Sequence, residues 1–147
     1  MARTYRLTPG TRIVNWVFSR MTRAGIGASY RYVLTVRGRT TGRPRSTPVD
    51  VIETADHRWL VAAYGVSGWV LNARAAGEVT LSRGRSSRRY TVTEPAPQDA
   101  VPVLRRYITE IRVTRPYFDA APDSPDDVIE AELPRHPVFQ LTPAGQP

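Results

Sequence analysis

The sequence predicts a mainly β chain (α+β class) in which short antiparallel strands close into a small barrel with helices at its flanks. Three observations lead there. Apolar side chains alternate over short runs, as at Tyr30, Tyr32, Leu34 and Val36, which is the two-residue period of a strand with one buried face. Clusters of turn-forming residues separate these runs by a few positions only, so neighbouring strands are joined as hairpins. From Pro97 the period changes, and Val101, Leu104, Ile108 and Ile111 recur at helical spacing. Short strands of this kind protect their edges best by closing on themselves. A length of 147 residues suits one domain, with an amphipathic helix over 1–28, a barrel core over 29–94 and a helical part with a last strand over 95–147.

Taken in order, Thr8 caps a first helix, Pro9 occupies its first position, and Gly25 or Gly27 ends it. Ile13, Val14, Trp16, Val17, Phe18 and Met21 lie between Arg12, Arg20 and Arg23. Such a helix either packs on its own domain or lies on an anionic membrane surface. Residues 30–37 form the first strand and residues 49–54 the second, after an arginine-rich turn. Ala55, Asp56 and His57 make a hairpin turn into a third strand over 59–64, which places His57 at the surface. Gly65 to Gly68 break that strand; Ser67 caps a helix over 69–76 and Gly77 closes it. Residues 78–82 and 88–93 pair around Arg83-Gly84-Arg85, a basic and solvated turn. The helix from Pro97 has Asp99 in its first turn and breaks at Arg115-Pro116-Tyr117-Phe118. Ser124-Pro125-Asp126-Asp127 starts a further helix that runs to about Leu133. Pro134 and Pro137 stop it, and residues 138–141 form the last strand.

Composition removes several chemistries. There is no cysteine, which excludes disulfides, thiolate metal sites and cysteine nucleophiles. His57 and His136 are too far apart in sequence for metal-ligand spacing. Asp126, Asp127, Glu130 and Glu132 suit a helix start and a solvated face better than a metal site. No apolar run reaches 18 residues, so no bilayer span is expected. Five arginines among the first 25 residues argue against a signal peptide, and a cytoplasmic protein is expected. No G-x-G-x-x-G follows a strand, and neither a Walker loop nor a G-x-S-x-G elbow is present.

What remains is charge. The net charge is +8, and all 21 basic residues are arginine, whose planar donors suit phosphate and carboxylate. Residues 1–89 hold 16 arginines against four acids, whereas residues 119–132 hold six acids and no base. An anionic partner is implied: a phosphorylated cofactor, a membrane surface or nucleic acid. Nucleic acid is the weakest of these, because the aromatics are not interleaved with the arginines as stacking platforms are. The charge is densest at Arg37-Gly38-Arg39-Thr40-Thr41-Gly42-Arg43-Pro44-Arg45-Ser46-Thr47-Pro48, which is either a solvated basic hairpin or a phosphate-binding turn.

The run Gly38-Arg39-Thr40-Thr41-Gly42-Arg43-Pro44-Arg45-Ser46-Thr47-Pro48 resembles the G-R-x-[ST]-G-x-P-R-x-x-P pattern of the deazaflavin (F-420)-dependent nitroreductase family of actinobacterial oxidoreductases. The strand Trp59-Leu60-Val61-Ala62-Ala63 and the run Trp69-Val70-Leu71-Asn72-Ala73-Arg74-Ala75 are similar to a second motif of that family. Two departures stand out: Thr40 replaces a frequent Lys, and the loop 64–68 is short and lacks a Ser-Lys pair. The resemblance implies a split β-barrel like the flavin-binding barrels, with coenzyme F-420 as cofactor and FMN as the alternative. It implies that Arg39, Thr40, Arg45, Ser46 and Thr47 face the phosphate and tail of the cofactor. By the same resemblance Pro48 and Val49 border its ring, Ala62, Ala63, Tyr64 and Gly65 line the other side, and Trp69 and Asn72 lie nearby.

The function expected on this basis is hydride transfer from reduced F-420 to a small electron-poor acceptor such as a quinone, an enone or a nitroaromatic compound. Tyr64, Tyr107 and Tyr117 are the candidate proton donors. The alternatives are a non-catalytic F-420 carrier and a basic module that binds nucleic acid or membrane. The sequence leaves the oligomeric state open.

Overall fold

The computed structural model describes residues 31–145. The first expected helix, and with it the membrane-surface alternative, lies outside the described residues. Six strands form a closed barrel: β1 (Arg31–Arg37), β2 (Pro44–Glu53), β3 (Arg58–Val61), β4 (Glu78–Arg83), β5 (Ser86–Thr93) and β6 (Val138–Pro143). The ring runs β1-β2-β3-β6-β5-β4 and returns to β1, antiparallel at every contact. Helices α1 (Gly68–Ala76), α2 (Pro97–Glu110) and α3 (Asp126–Glu130), with a 3₁₀ segment Arg112–Tyr117, complete the described elements.

Side-chain alternation divides the apolar residues into two buried groups. Leu34, Val36, Val51, Leu60, Val79, Leu81, Tyr90, Phe139 and Leu141 fill the barrel. Val70 and Ala73 of α1 close one end of it. At the opposite end Arg58 lies 5.3 Å from the Tyr32 ring centroid and 5.9 Å from that of Tyr90, donates to the Tyr90 hydroxyl at 2.8 Å and pairs with Glu53 at 3.0 Å. The second group lies outside the barrel. Ile52, Trp59, Val61 and Val138 face outward from β2, β3 and β6 and are covered by Leu104, Tyr107 and Ile108 of α2, with Phe118 and Ile129. The helical stripe read from the sequence is the face that covers them.

Three boundaries differ from the sequence reading, each for a physical reason. β2 starts at Pro44 rather than near residue 49. β3 pairs only with Val51–Glu53, so along 44–50 β2 has β1 as its one described neighbour, where missing proline N–H groups are tolerated. β3 ends at Val61 rather than at residue 64, because the chain turns sharply: Gly65 N–H donates to Ala62 O at 3.1 Å and Gly65 has φ 95°. The last helix stops at Glu130, and residues beyond it wind in tighter turns, with Leu133 N–H on Glu130 O and Arg135 N–H on Glu132 O.

The end of α1 is as the sequence predicts: Gly77 is left-handed at φ 70° and donates to Ala73 O at 2.8 Å. A Cβ there would meet nothing within 4 Å, so an alanine would bear the conformational cost alone. Gly77→Ala should therefore lower stability by about 1–2 kcal/mol, read as a lower urea midpoint with an unchanged slope.

Candidate functional site

The arginine turn between β1 and β2 is tightly closed. Gly38 N–H donates to Arg43 O at 2.8 Å and Gly42 N–H to Gly38 O at 2.9 Å. A Cβ on Gly38 would stand 3.1 Å from both Arg43 O and Thr41 Oγ1, so the turn leaves no room for a side chain there. The turn rests on α1 through one side chain. Buried Asn72 accepts from Arg39 N–H at 3.0 Å and from Arg39 Nη1 at 2.8 Å. A cleft of about 890 Å3 opens between this turn, the end of α1 and the start of β4. Thr35, Arg37, Arg39, Thr40, Thr41, Glu78 and Thr80 are its polar lining, with the Glu78 carboxylate paired to Arg89 at 3.3 Å. Two guanidinium side chains and four hydroxyl groups against one paired carboxylate line it, a set that fits phosphate and carboxylate oxygens.

Strand alternation divides the rest of the expected cofactor contacts between two faces. Arg45, Thr47 and Val49 stand opposite Val36, Leu34 and Tyr32, on the barrel side. Ser46 and Pro48 stand opposite Thr35 and Val33 on the outer side, and the Ser46 and Thr35 hydroxyls are 2.8 Å apart. Ala62 is buried with the barrel interior and Ala63 with the helical group. Trp69 packs on Phe139, ring centroids 5.7 Å apart, and Asn72 is spent on Arg39. Arg39 and Thr40 thus share the cleft, and Ala62, Ala63 and Trp69 pack with the two apolar groups.

The three tyrosines gather outside the barrel. Tyr64 and Tyr117 meet edge to face, with centroids 5.0 Å apart. Tyr64 is 44% exposed and Tyr117 is half-buried. Tyr107 is 3% exposed and hydrogen-bonded to Thr114, whose Oγ1 donates to Ile111 O at 2.8 Å. Burial holds the Tyr107 hydroxyl well above the ordinary tyrosine pKa, and the charge of Asp50 pushes the same way. Tyr107 is thus shielded from solvent, unlike Tyr64 and Tyr117.

Asp50 is a residue that the sequence reading passed over. It shares the outer face of β2 with Pro48, and Arg31 Nε donates to its Oδ1 at 3.1 Å. Burial raises its pKa above the usual carboxylate value, with Arg31 opposing. The available signal was an acid inside a strand whose neighbours are apolar, directly opposite an arginine. Among the described residues no three His, Asp or Glu side chains gather to hold a metal, and no helix is long and apolar enough to cross a membrane.

Residues 11–121, most of the chain, match the sequence model of the F-420H(2)-dependent quinone reductases. No curated protein matches. Among solved structures, the F-420-H2 dependent reductase FDR-A is 16% identical with a TM-score of 0.52, over 78% of this chain and 95% of that one. The protein Atu2129 of Agrobacterium tumefaciens, of unknown function, is 17% identical with a TM-score of 0.58, over 95% and 58% of the two chains. HutZ, a haem storage protein of Vibrio cholerae, is 11% identical with a TM-score of 0.53, over 97% and 93%. At such identities the likeness is one of fold.

The raised pKa of Asp50 has a direct consequence for stability. Folding favours its neutral form, so its stabilising contribution is present below the unfolded carboxyl pKa and is lost as pH rises through the folded one. Asp50→Asn mimics the neutral acid and keeps an acceptor for Arg31. It should exceed the parent in urea midpoint at pH 7, and the two should converge below about pH 3.9.

Proposed function

Since the chain belongs to the F-420H(2)-dependent quinone reductase family, we propose that it binds reduced F-420 and reduces a small electron-poor acceptor: a quinone, with enones and nitroaromatic compounds as further members of that class. One observation carries the reading beyond family membership. In the cleft beside the arginine turn, cationic and hydroxyl side chains outnumber one carboxylate, Glu78, which Arg89 neutralises, and the turn's backbone is fixed by Gly38, Gly42 and the Arg39–Asn72 bonds. That donor set fits the anionic half of F-420. Arg39, Thr40 and Thr41 would hold phosphate or tail oxygens in the cleft, with Arg45 reaching from the adjoining strand. When bound, the deazaflavin supplies the hydride.

This chain's own part is to bind, orient and supply a proton. Asn72 keeps Arg39 in place, so less freedom is lost when an anion is engaged. Tyr64 and Tyr117 form an aromatic wall that keeps water from one side of an acceptor. Tyr117, half-buried and held edge-on by Tyr64, is the hydroxyl suited to deliver a proton to the reduced acceptor. Arg31 and Asp50 keep a half-buried pair on the neighbouring face.

Two substitutions test this. Arg45→Ala should weaken F-420 binding by roughly 10- to 150-fold, the loss of a charge-assisted hydrogen bond of about 1.5–3 kcal/mol; titration of cofactor fluorescence reads it, and an unchanged dissociation constant in a folded variant refutes the contact. Tyr117→Phe should keep F-420 affinity and slow oxidation of the reduced cofactor by a quinone by about 10²–10⁴-fold. A wild-type protein that binds F-420 but passes its electrons to no acceptor of these classes would be a carrier.

A further inference from the structure

Two buried ionisable side chains have no part in the site so far. Glu132 is 2% exposed and His136 is 4% exposed. Both lie in the turns between α3 and β6. His136 Nδ1 is 2.9 Å from Ala62 O. A carbonyl can only accept, so Nδ1 carries the hydrogen and donates. The same carbonyl accepts Gly65 N–H at 3.1 Å and is thus the anchor of the turn that presents Tyr64. The His136 ring lies on Phe118, with centroids 4.2 Å apart, and Phe118 follows Tyr117 directly. Glu132 accepts Asp119 N–H with its two oxygens at 3.4 and 3.2 Å, and accepts Arg135 Nη2 at 2.6 Å. Arg135 in turn donates to Asp119 Oδ2 at 2.7 Å. His136 Nε2 and Glu132 Oε2 stand 4.0 Å apart.

We propose that Glu132 and His136 act together as positioning residues for the Tyr64–Tyr117 contact. The pair grips the backbone carbonyl two residues before Tyr64 and the backbone N–H two residues after Tyr117. The two tyrosine-bearing segments are far apart in sequence and pair in no sheet, so the barrel ladder does not set their separation. Burying a carboxylate is costly, and an apolar pair of similar volume would fill the space at least as well. What an apolar pair cannot do is hold two backbone groups at fixed points. Buried polar side chains whose bonds go to the backbone of two segments fix geometry more than they add stability. The catalytic consequence rests on the reading that these tyrosines flank the acceptor; the structural one does not.

The test separates the two. His136→Phe keeps a ring on Phe118 and removes the donor to Ala62 O; His136→Asn removes the ring and keeps a donor near the Nδ1 position. With ring-labelled tyrosine, NMR shifts that Tyr64 and Tyr117 induce in each other should shrink in the Phe variant and persist in the Asn variant. Quinone reduction should lose about 10- to 100-fold in kcat in the Phe variant, with KM for reduced F-420 unchanged, and the Asn variant should recover most of that loss. Unchanged tyrosine shifts in folded His136→Phe overturn the proposal whatever the activity. If the shifts respond while the wild type reduces no acceptor, the positioning stands and the functional reading fails. Should His136→Phe not fold, Glu132→Gln tests the other half: its weaker acceptor should move the Tyr117 signals, and unmoved signals overturn the proposal.

Discussion

The pairing of β1 with β2 over seven positions, from Arg31↔Asp50 to Arg37↔Pro44, is the constraint on which the rest of the molecule depends. In a strand the side chains alternate, so the register decides which residues enter the barrel and which face outward. A slip of one position would turn Val49 and Val51 out and carry the Asp50 carboxylate in among Leu34 and Leu60. The closed turn at Gly38–Arg43 forbids that slip, since its backbone bonds fit one loop length only. The element that fixes the register is therefore also the element that displays the arginines. The fold and the display of the arginines are not separable in this chain.

Charged groups are placed in two ways around this frame. Arg58 closes the far end of the barrel among Tyr32, Tyr90 and Glu53, and Arg74 and Arg105 meet Glu94 and Asp126 at the surface. These are structural pairs, and the exposed ones add little to stability. The outer face of β2 is different. There burial raises the pKa of Asp50 and of Tyr107, and the Asp50 charge adds to the effect on Tyr107.

The barrel was legible because alternation and turn residues are local signals. The stripe at Val101, Leu104 and Ile108 and the Gly77 stop are local in the same sense. Where the sequence misled, the deciding contact was distant. Pro48, left before the second strand in the sequence reading, lies inside it because β1 is the one described partner of β2 along that stretch. Asn72 reads as a ligand-side residue until Arg39, 33 positions away, is found bonded to it. Tyr107 is one of three equal tyrosines until the packing of α2 on Ile52 and Trp59 buries it. His136 gave no signal, because its partner Ala62 is 74 residues away and contributes only a carbonyl.

The arginine turn has one further property, which concerns acidity. Arginine keeps its proton at any pH a protein tolerates, and this chain contains no lysine. The turn's charge is thus a constant of the molecule, the same at the acid and the alkaline end of any assay. A sloping or bell-shaped pH profile then reports on other groups: the tyrosines, Asp50, or the ionisation of the bound molecules themselves. The cationic cleft works as a fixed electrode, against which every titration in the protein can be read.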